Sequence, residues 1–425
     1  MIRRNTIARK IDRRKTVYSS IAKMTLLLFS ILAITLSLLY NIGNVTPEDL
    51  KTYFFLIGTI TLTTIITEKI MKDNTLFLIV NMLFSIGVSI VYRLDPTTGK
   101  KQLIFYLIGV VLFFITYTLL YFFNFWDKLI IVYFITTILL FIVTLVLGSW
   151  EGGAKNWIII GGVSIQPSEF IKITFVFFIA SFYANYDKFV EKYKILGKLI
   201  MTIGIYIFIG FFFLQRELGT AIICFGVMIL SQFTFEKDYK LILINTVLMF
   251  VGLIFAYKVM NHVRVRFDIW QDPFKDPQGM GYQTIQSLIA IGSGGLFGKG
   301  IGLGQPGYIP VAKSDFVFSA VVEEMGTFTG IAILLLFLLL VYKGLQIGYN
   351  QKNTFYSVLA FAISVMFGIQ ALLIIGGVTN ITPLTGVTLP FLSAGGSSMV
   401  TGFILIAILQ FCERKEVKFE RKENK

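Results

Sequence analysis

The chain has 425 residues, of which 56% are hydrophobic and only 15% charged, and it carries a net charge of +14. A soluble protein of this length needs far more polar surface, so the composition excludes an ordinary water-soluble enzyme. There is no soluble domain to present a basic face to nucleic acid, and the positive charge is therefore read as membrane topology.

Apolar stretches of about 20 residues, the length that crosses a bilayer core, recur throughout. They predict spans near 21–42, 52–70, 75–92, 102–125, 129–148, 168–184, 195–214, 219–236, 239–260, 319–345, 354–376 and 397–412. The expected fold is thus an all-α polytopic membrane protein of about twelve transmembrane helices. Nothing at the start looks like a cleavable signal peptide, so the first apolar segment is expected to stay as an anchor. With the N-terminus in the cytoplasm, the connections RRNTIARKIDRRK, EKIMKDN, DKFVEKYKILGK, FEKDYK and YNQKN and the tail CERKEVKFERKENK hold the larger share of the 38 Lys and Arg residues. The positive-inside rule then predicts that both termini are cytoplasmic.

All nine prolines, from Pro47 to Pro390, fall at or beyond the outer boundary in this topology. Irregular backbone at that depth must be buried in protein or line a wet cavity, which makes the outer face the candidate working face. Outer loops that are merely longer would collect proline in the same way. Cys224 and Cys412 form neither a disulfide framework nor a metal pattern and are read as packing residues.

Along the chain, "GGAKNWIIIGGVSIQPSEFIKI" (152–173) enters a span from outside, with Pro167, Ser168 and Glu169 as ordinary helix-start residues. Lys172 stands three positions after Glu169, where an ion pair across one turn is natural. That pair either relieves its own burial or lines a polar cavity, and the two are compatible. "LQRELGTA" (214–221) brings Arg216 and Glu217 to the outer end of another span.

The long outer connection, 261–318, contains the helix-like TIQSLIAI and a glycine-rich stretch, and is expected to form a structured, partly embedded cap. Arg264, Arg266 and Lys299 in it could clamp a phosphate or pyrophosphate, or bind anionic lipid without specificity. His262 is the only histidine, which argues against a histidine triad or zinc site. A hydrated divalent cation (Mg or Mn) held by carboxylate and phosphate stays open, with no certain cofactor.

Asp315, Glu323 and Glu324 lie in "SDFVFSAVVEEMG". Ser314 reads as a helix N-cap with Asp315 in the first turn, where the helix dipole favours a negative charge. At the outer boundary Asp315 could equally serve as a general base towards a lipid-borne hydroxyl. Glu323 and Glu324 read better as an interhelical hydrogen-bonded or salt-bridged pair than as catalysts. "GGVTNITPLTGVTLPFLSAGGSS" (376–398) is nearly uncharged, which favours a buried re-entrant turn.

Together, "GAKNW", "QPSEFIK", "LGTA", "DPFKDPQGMGYQTIQSLIAIGSGG", "GKGIGLG", "SDFVFSAVVEEMG" and "PLTGVTLPFLSAGGSS" resemble, in order, the SEDS family of bacterial shape, elongation, division and sporulation proteins. The resemblance covers about residues 75–412. It implies a ten-helix core preceded by an extension (1–74, with two extra helices) and followed by a basic tail (413–425). It also implies a multi-pass protein of the bacterial plasma membrane whose active face is extracellular. The implied activity is peptidoglycan glycosyltransfer, polymerising lipid II (an undecaprenyl-pyrophosphate-linked disaccharide pentapeptide) beside a class B penicillin-binding protein. The family's catalytic aspartate matches Asp315; its acidic and basic helix pair matches Glu169 and Lys172; its tryptophan matches Trp157. Lys101 and Gln102 match its basic residue followed by glutamine.

Three departures stand out. Glu217 replaces an aspartate, Asn156 replaces an arginine, and "PVAKSD" (310–315) replaces "PEAHTD", with Lys313 expected to substitute as a phosphate contact. Two other readings are a lipid II flippase, which should show midplane binding groups and internal repeats, and a non-catalytic scaffold for the transpeptidase.

Overall fold

The computed structural model describes residues 21–37, 46–71, 73–151 and 153–423, without the side chains of 151 and 415–423. The basic run at 3–15 and most tail side chains lie outside the described residues. Helix starts follow sequence signals closely. Pro47, Pro96 and Pro167 open α2 (Pro47–Ile70), α4 (Pro96–Phe122) and α6 (Pro167–Ala184), where the missing N–H has no intrahelical partner to lose. Thr46 and Asp49 close a capping box on α2, and Asp95 caps α4 through the Thr97 amide at 3.0 Å.

Eleven described helices are long and apolar enough to cross a membrane: α2, α4 and α6 above, with α3 (Thr75–Leu94), α5 (Ile130–Leu147), α8 (Ile195–Gln215), α9 (Leu218–Ser231, continued by a wider turn to Glu236), α10 (Tyr239–Val259), α14 (Thr327–Asn350), α15 (Thr354–Val378) and α16 (Gly396–Glu423, apolar to Arg414). The shorter apolar helix α1 (Ile21–Ser37) precedes them, and the short α7 (Tyr186–Tyr193) stands between α6 and α8. This is a multi-pass, all-α membrane fold. The apolar stretches of α3 and α16 are 83% buried, against 11% for α10, so α3 and α16, with α6 and α15, form the centre while α10 presents its side chains to lipid.

The helices α1 and α2 lean on the core through polar contacts as well as apolar ones. Ser30 bonds Ser85 at 2.9 Å, Asn81 donates to Thr64 at 3.0 Å, and Tyr106 links Thr63 to Asn81 at 2.9 and 2.8 Å. Such hydrogen bonds fix helix pairs where apolar burial gives no preference over lipid.

Three features depart from the sequence reading. The stretch 149–165 is a small antiparallel sheet of β1 (Ser149–Glu151), β2 (Ala154–Ile160) and β3 (Val163–Ile165), in that order. The connection 261–318 holds α12 (Met280–Gly294) around the expected TIQSLIAI, and in addition α11 (Asn261–Gln271), which was not expected. Lastly, the expected single helix after Ser314 is two: α13 (Val317–Met325) and α14, divided at Gly326, whose φ is +87°. A side chain there would meet the Leu296 carbonyl at 2.4 Å, so the glycine-rich loop crosses where only glycine leaves room.

Candidate active site

Residues 310–316 form a turn ahead of α13, and Asp315 sits in that turn. The expected Ser314 cap is absent: Phe316 holds the N-cap position and makes no side-chain cap bond. Two bonds from the 389–394 segment fix the turn instead, the Ala394 amide to the Lys313 carbonyl at 2.9 Å and the Ser393 hydroxyl to the Ser314 carbonyl at 2.6 Å. The uncharged stretch before α16 is thus folded back against the acidic turn.

Arg266, on α11, donates to the Thr385 carbonyl at 2.9 Å. Between Arg266 and Asp315 lies Gly386, at φ +71°; a Cβ there would stand 3.3 Å from Arg266 Nη2 and 3.8 Å from Asp315 Oδ2. A carboxylate and a guanidinium therefore face one another across a residue with no side chain. Burial pushes the Asp315 carboxyl above its ordinary range, and the Ser314 hydroxyl and the Arg266 guanidinium pull it back.

A second polar group lies nearby. Lys172 pairs with Glu169 at 2.7 Å and donates to Gln370 at 3.2 Å; Gln370 donates to the Thr388 carbonyl at 2.8 Å, and Thr401 donates to Glu169 at 3.0 Å. The pair thus buttresses the segment that carries Gly386. Glu217 Oε1 accepts from Gln166, Ser168 and Thr220 at 3.1, 2.7 and 2.8 Å, while its Oε2 is buried without a described partner. Two residues on, a Cβ at Gly219 would stand 3.0 Å from the Thr385 carbonyl, so the start of α9 packs on the same segment.

Other predicted residues have different surroundings. Gln102 is buried and donates to the Leu392 and Ser393 carbonyls at 3.3 Å each, whereas Lys101 is exposed. Trp157 is partly buried in β2. Arg264 is exposed, stacks over Tyr257 at 5.7 Å and donates to the Lys258 carbonyl, apart from the Arg266 arrangement. Lys313, expected as a phosphate contact, pairs with Asp95 at 2.7 Å. Glu323 pairs with Lys299 at 2.9 Å and Glu324 with Arg93 at 3.0 Å, the interelement role expected of them.

Sequence reasoning missed Asp95, Gln370 and the threonines of "TPLTGVTLP". The hydroxyl oxygens of Thr382, Thr385 and Thr388 are buried without described partners. Their three-residue spacing was the available signal. Among the described residues no group of three or more His, Cys, Asp or Glu side chains converges.

Residues 70–418 match the FtsW/RodA/SpoVE family of cell cycle proteins. The chain belongs to that family. Among its FtsW/RodA/SpoVE relatives, stage V sporulation protein E of Bacillus subtilis is 33% identical over 368 residues, 81% of this chain and 97% of that one. Peptidoglycan glycosyltransferase RodA of Mycobacterium tuberculosis H37Rv is 35% identical over 277 residues, 61% of this chain but 58% of that protein's length. The fold matches a chain of a peptidoglycan synthase complex that coordinates polymerization and crosslinking, with a TM-score of 0.69 at 21% identity over 81% of this chain and 98% of that one. Rod shape determining protein RodA of Thermus thermophilus gives a TM-score of 0.60 at 20% identity, covering 81% and 97%.

Proposed function

We propose that this protein is a peptidoglycan glycosyltransferase that polymerises lipid II at the outer leaflet of the bacterial plasma membrane, with Asp315 as general base and both termini cytoplasmic. The observation that carries the reading is Asp315 facing Arg266 across Gly386, where the 310–316 turn, α11 and a nearly uncharged segment meet. Relatives named peptidoglycan glycosyltransferase support the reaction class.

In this mechanism Asp315 takes the proton from the acceptor sugar hydroxyl of an incoming lipid II. The freed oxygen forms a bond to the anomeric carbon of the growing strand. The bond from that carbon to the pyrophosphate oxygen breaks, and the electron pair leaves with undecaprenyl pyrophosphate. One displacement with inversion turns an α-linked donor into a β linkage, so no enzyme nucleophile is required. Arg266, whose guanidinium faces Asp315 across Gly386, would offset charge gathering on the leaving group. A carboxyl held above its ordinary range is a better base than one held below it. No step is routed through a metal ion, and a class B penicillin-binding protein is the proposed crosslinking partner.

The test is polymerisation of purified lipid II by the protein with its penicillin-binding partner, comparing wild type with Asp315→Asn and Asp315→Ala of matched thermal stability. Glycan strands from wild type alone are expected. Equal polymerisation by the variants would remove Asp315 as base, and a wild type that makes no strands while moving lipid II across vesicles would replace the enzyme by a flippase.

A further inference from the structure

The last turn of α3 and Asp95, the single residue between α3 and α4, carry three polar side chains that hold three different parts of the outer face. Tyr92 donates to Asp49 of α2 at 2.6 Å. Arg93 pairs with Glu324 of α13 and donates to the carbonyls of Gly302 and Gly304 at 3.1 and 3.0 Å. Asp95 pairs with Lys313, two residues from Asp315, at 2.7 Å.

Asp95 is itself immobilised. Besides Lys313, its carboxylate accepts from the Thr97 amide at 3.0 Å and from the Thr97 and Thr98 hydroxyls at 2.6 Å each, as the cap of α4. These bonds hold Asp95 well below the usual carboxylate range, led by the one from Lys313, so it is charged at neutral pH. Ala394 and Ser393 fix the backbone of the catalytic turn, and Asp95 fixes it through a side chain on the opposite flank of the sequence. An anchored anion gripping a lysine beside the base sets where that base points.

We propose that Asp95 is a positioning residue: by clamping Lys313 it holds the turn 310–316 so that Asp315 faces Arg266. The inference rests on Asp315 being the base. Lys313 then acts on the rate through geometry, without touching phosphate. Both side chains are partly exposed, so the pair adds little to global stability, and its catalytic effect is separable from folding.

Asp95→Asn is the informative variant: asparagine keeps an oxygen for the Thr97 cap, loses the ion pair to Lys313, and offers the Thr98 hydroxyl a donor in place of the acceptor it had. Lipid II polymerisation by the partnered protein is measured for wild type, Asp95→Asn, Lys313→Met, Lys313→Arg and the double variant, with thermal stability alongside. The expected result is a kcat lower by about 10-fold in Asp95→Asn and Lys313→Met, since small misplacements of a reacting group carry such penalties. KM for lipid II and melting temperature stay unchanged, Lys313→Arg recovers most of the rate, and the double variant is no worse than either single one. A raised KM with unchanged kcat in Lys313→Met, beside a silent Asp95→Asn, overturns the proposal and makes Lys313 a substrate contact. Multiplying effects in the double variant, or no kcat change in either single one, overturn it too. A wild type that makes no strands sinks the proposed function instead, and an active Asp315→Asn sinks the base; these outcomes are distinct from failure of the pair.

Discussion

Asp315 and the Glu323–Glu324 pair stand eight and nine residues apart on one stretch of chain, and their surroundings differ in kind. The two glutamates are neutralised: Glu323 by Lys299 and the Gln305 amide, Glu324 by Arg93 and the Gly302 amide. They pin the glycine-rich loop. Asp315 has a guanidinium across an empty glycine and unpartnered hydroxyls in the facing segment. Acidity near a membrane is therefore not one signal: a carboxylate locked in an ion pair and backbone bonds holds structure, and one that faces a guanidinium across a glycine is available for chemistry.

The strongest way to break this contrast is to remove the charge of the one and the cation of the other. Asp315→Asn is expected to lower polymerisation by about 10²–10⁴-fold at unchanged melting temperature, measured on lipid II. Arg93→Met should do the reverse. It leaves Glu324 buried without its cation, an effect of about 3 kcal/mol on stability, read as a lower unfolding midpoint in detergent with activity per folded molecule nearly kept. Full activity of the aspartate variant, or collapse of folded-state activity in the arginine variant, would erase the distinction.

Smaller effects sharpen it. Gly386→Ala forces a side chain into a left-handed residue, about 1–2 kcal/mol of strain, and crowds Arg266, so kcat should fall more than stability does. The acid limb of the pH–rate profile supplies the smallest effect. Asp315 works deprotonated, so the rate rises with pH through a value above the ordinary aspartate range, and Arg266→Gln, which removes a downward pull, should move that limb higher still. For folding the sign is opposite: a raised carboxyl pKa binds its proton more tightly in the native state. That contribution is complete below the unfolded value and is lost as pH rises through the folded one, which a melting-temperature series checks.

Most of the helical frame was legible because about 20 apolar residues in a row have few alternatives to a span. The sheet at 149–165 was not, because "WIIIGGVSI" is a short apolar run that reads equally as loop, strand or helix entry. Arg264 and Arg266 looked equivalent until α11 formed; residues two apart on a helix point to nearly opposite sides, and only Arg266 turns towards Thr385. The hinge at Gly326 was hidden because apolar residues continue on both sides of it. Asp95 and Lys313 are 218 residues apart, and no local pattern joins them. Of the candidate site, the resemblance supplied Asp315, and the fold supplied what faces it.

The division at Gly326 has a mechanical consequence. A span longer or shorter than its bilayer tilts to fit, and α14, largely exposed to lipid, is such a span. Were it continuous with α13, each change in membrane thickness would swing the residues that carry the acidic turn. Broken where it is, the chain has an expansion joint: the angle of α14 is set apart from that of α13, which Arg93 and Lys299 hold.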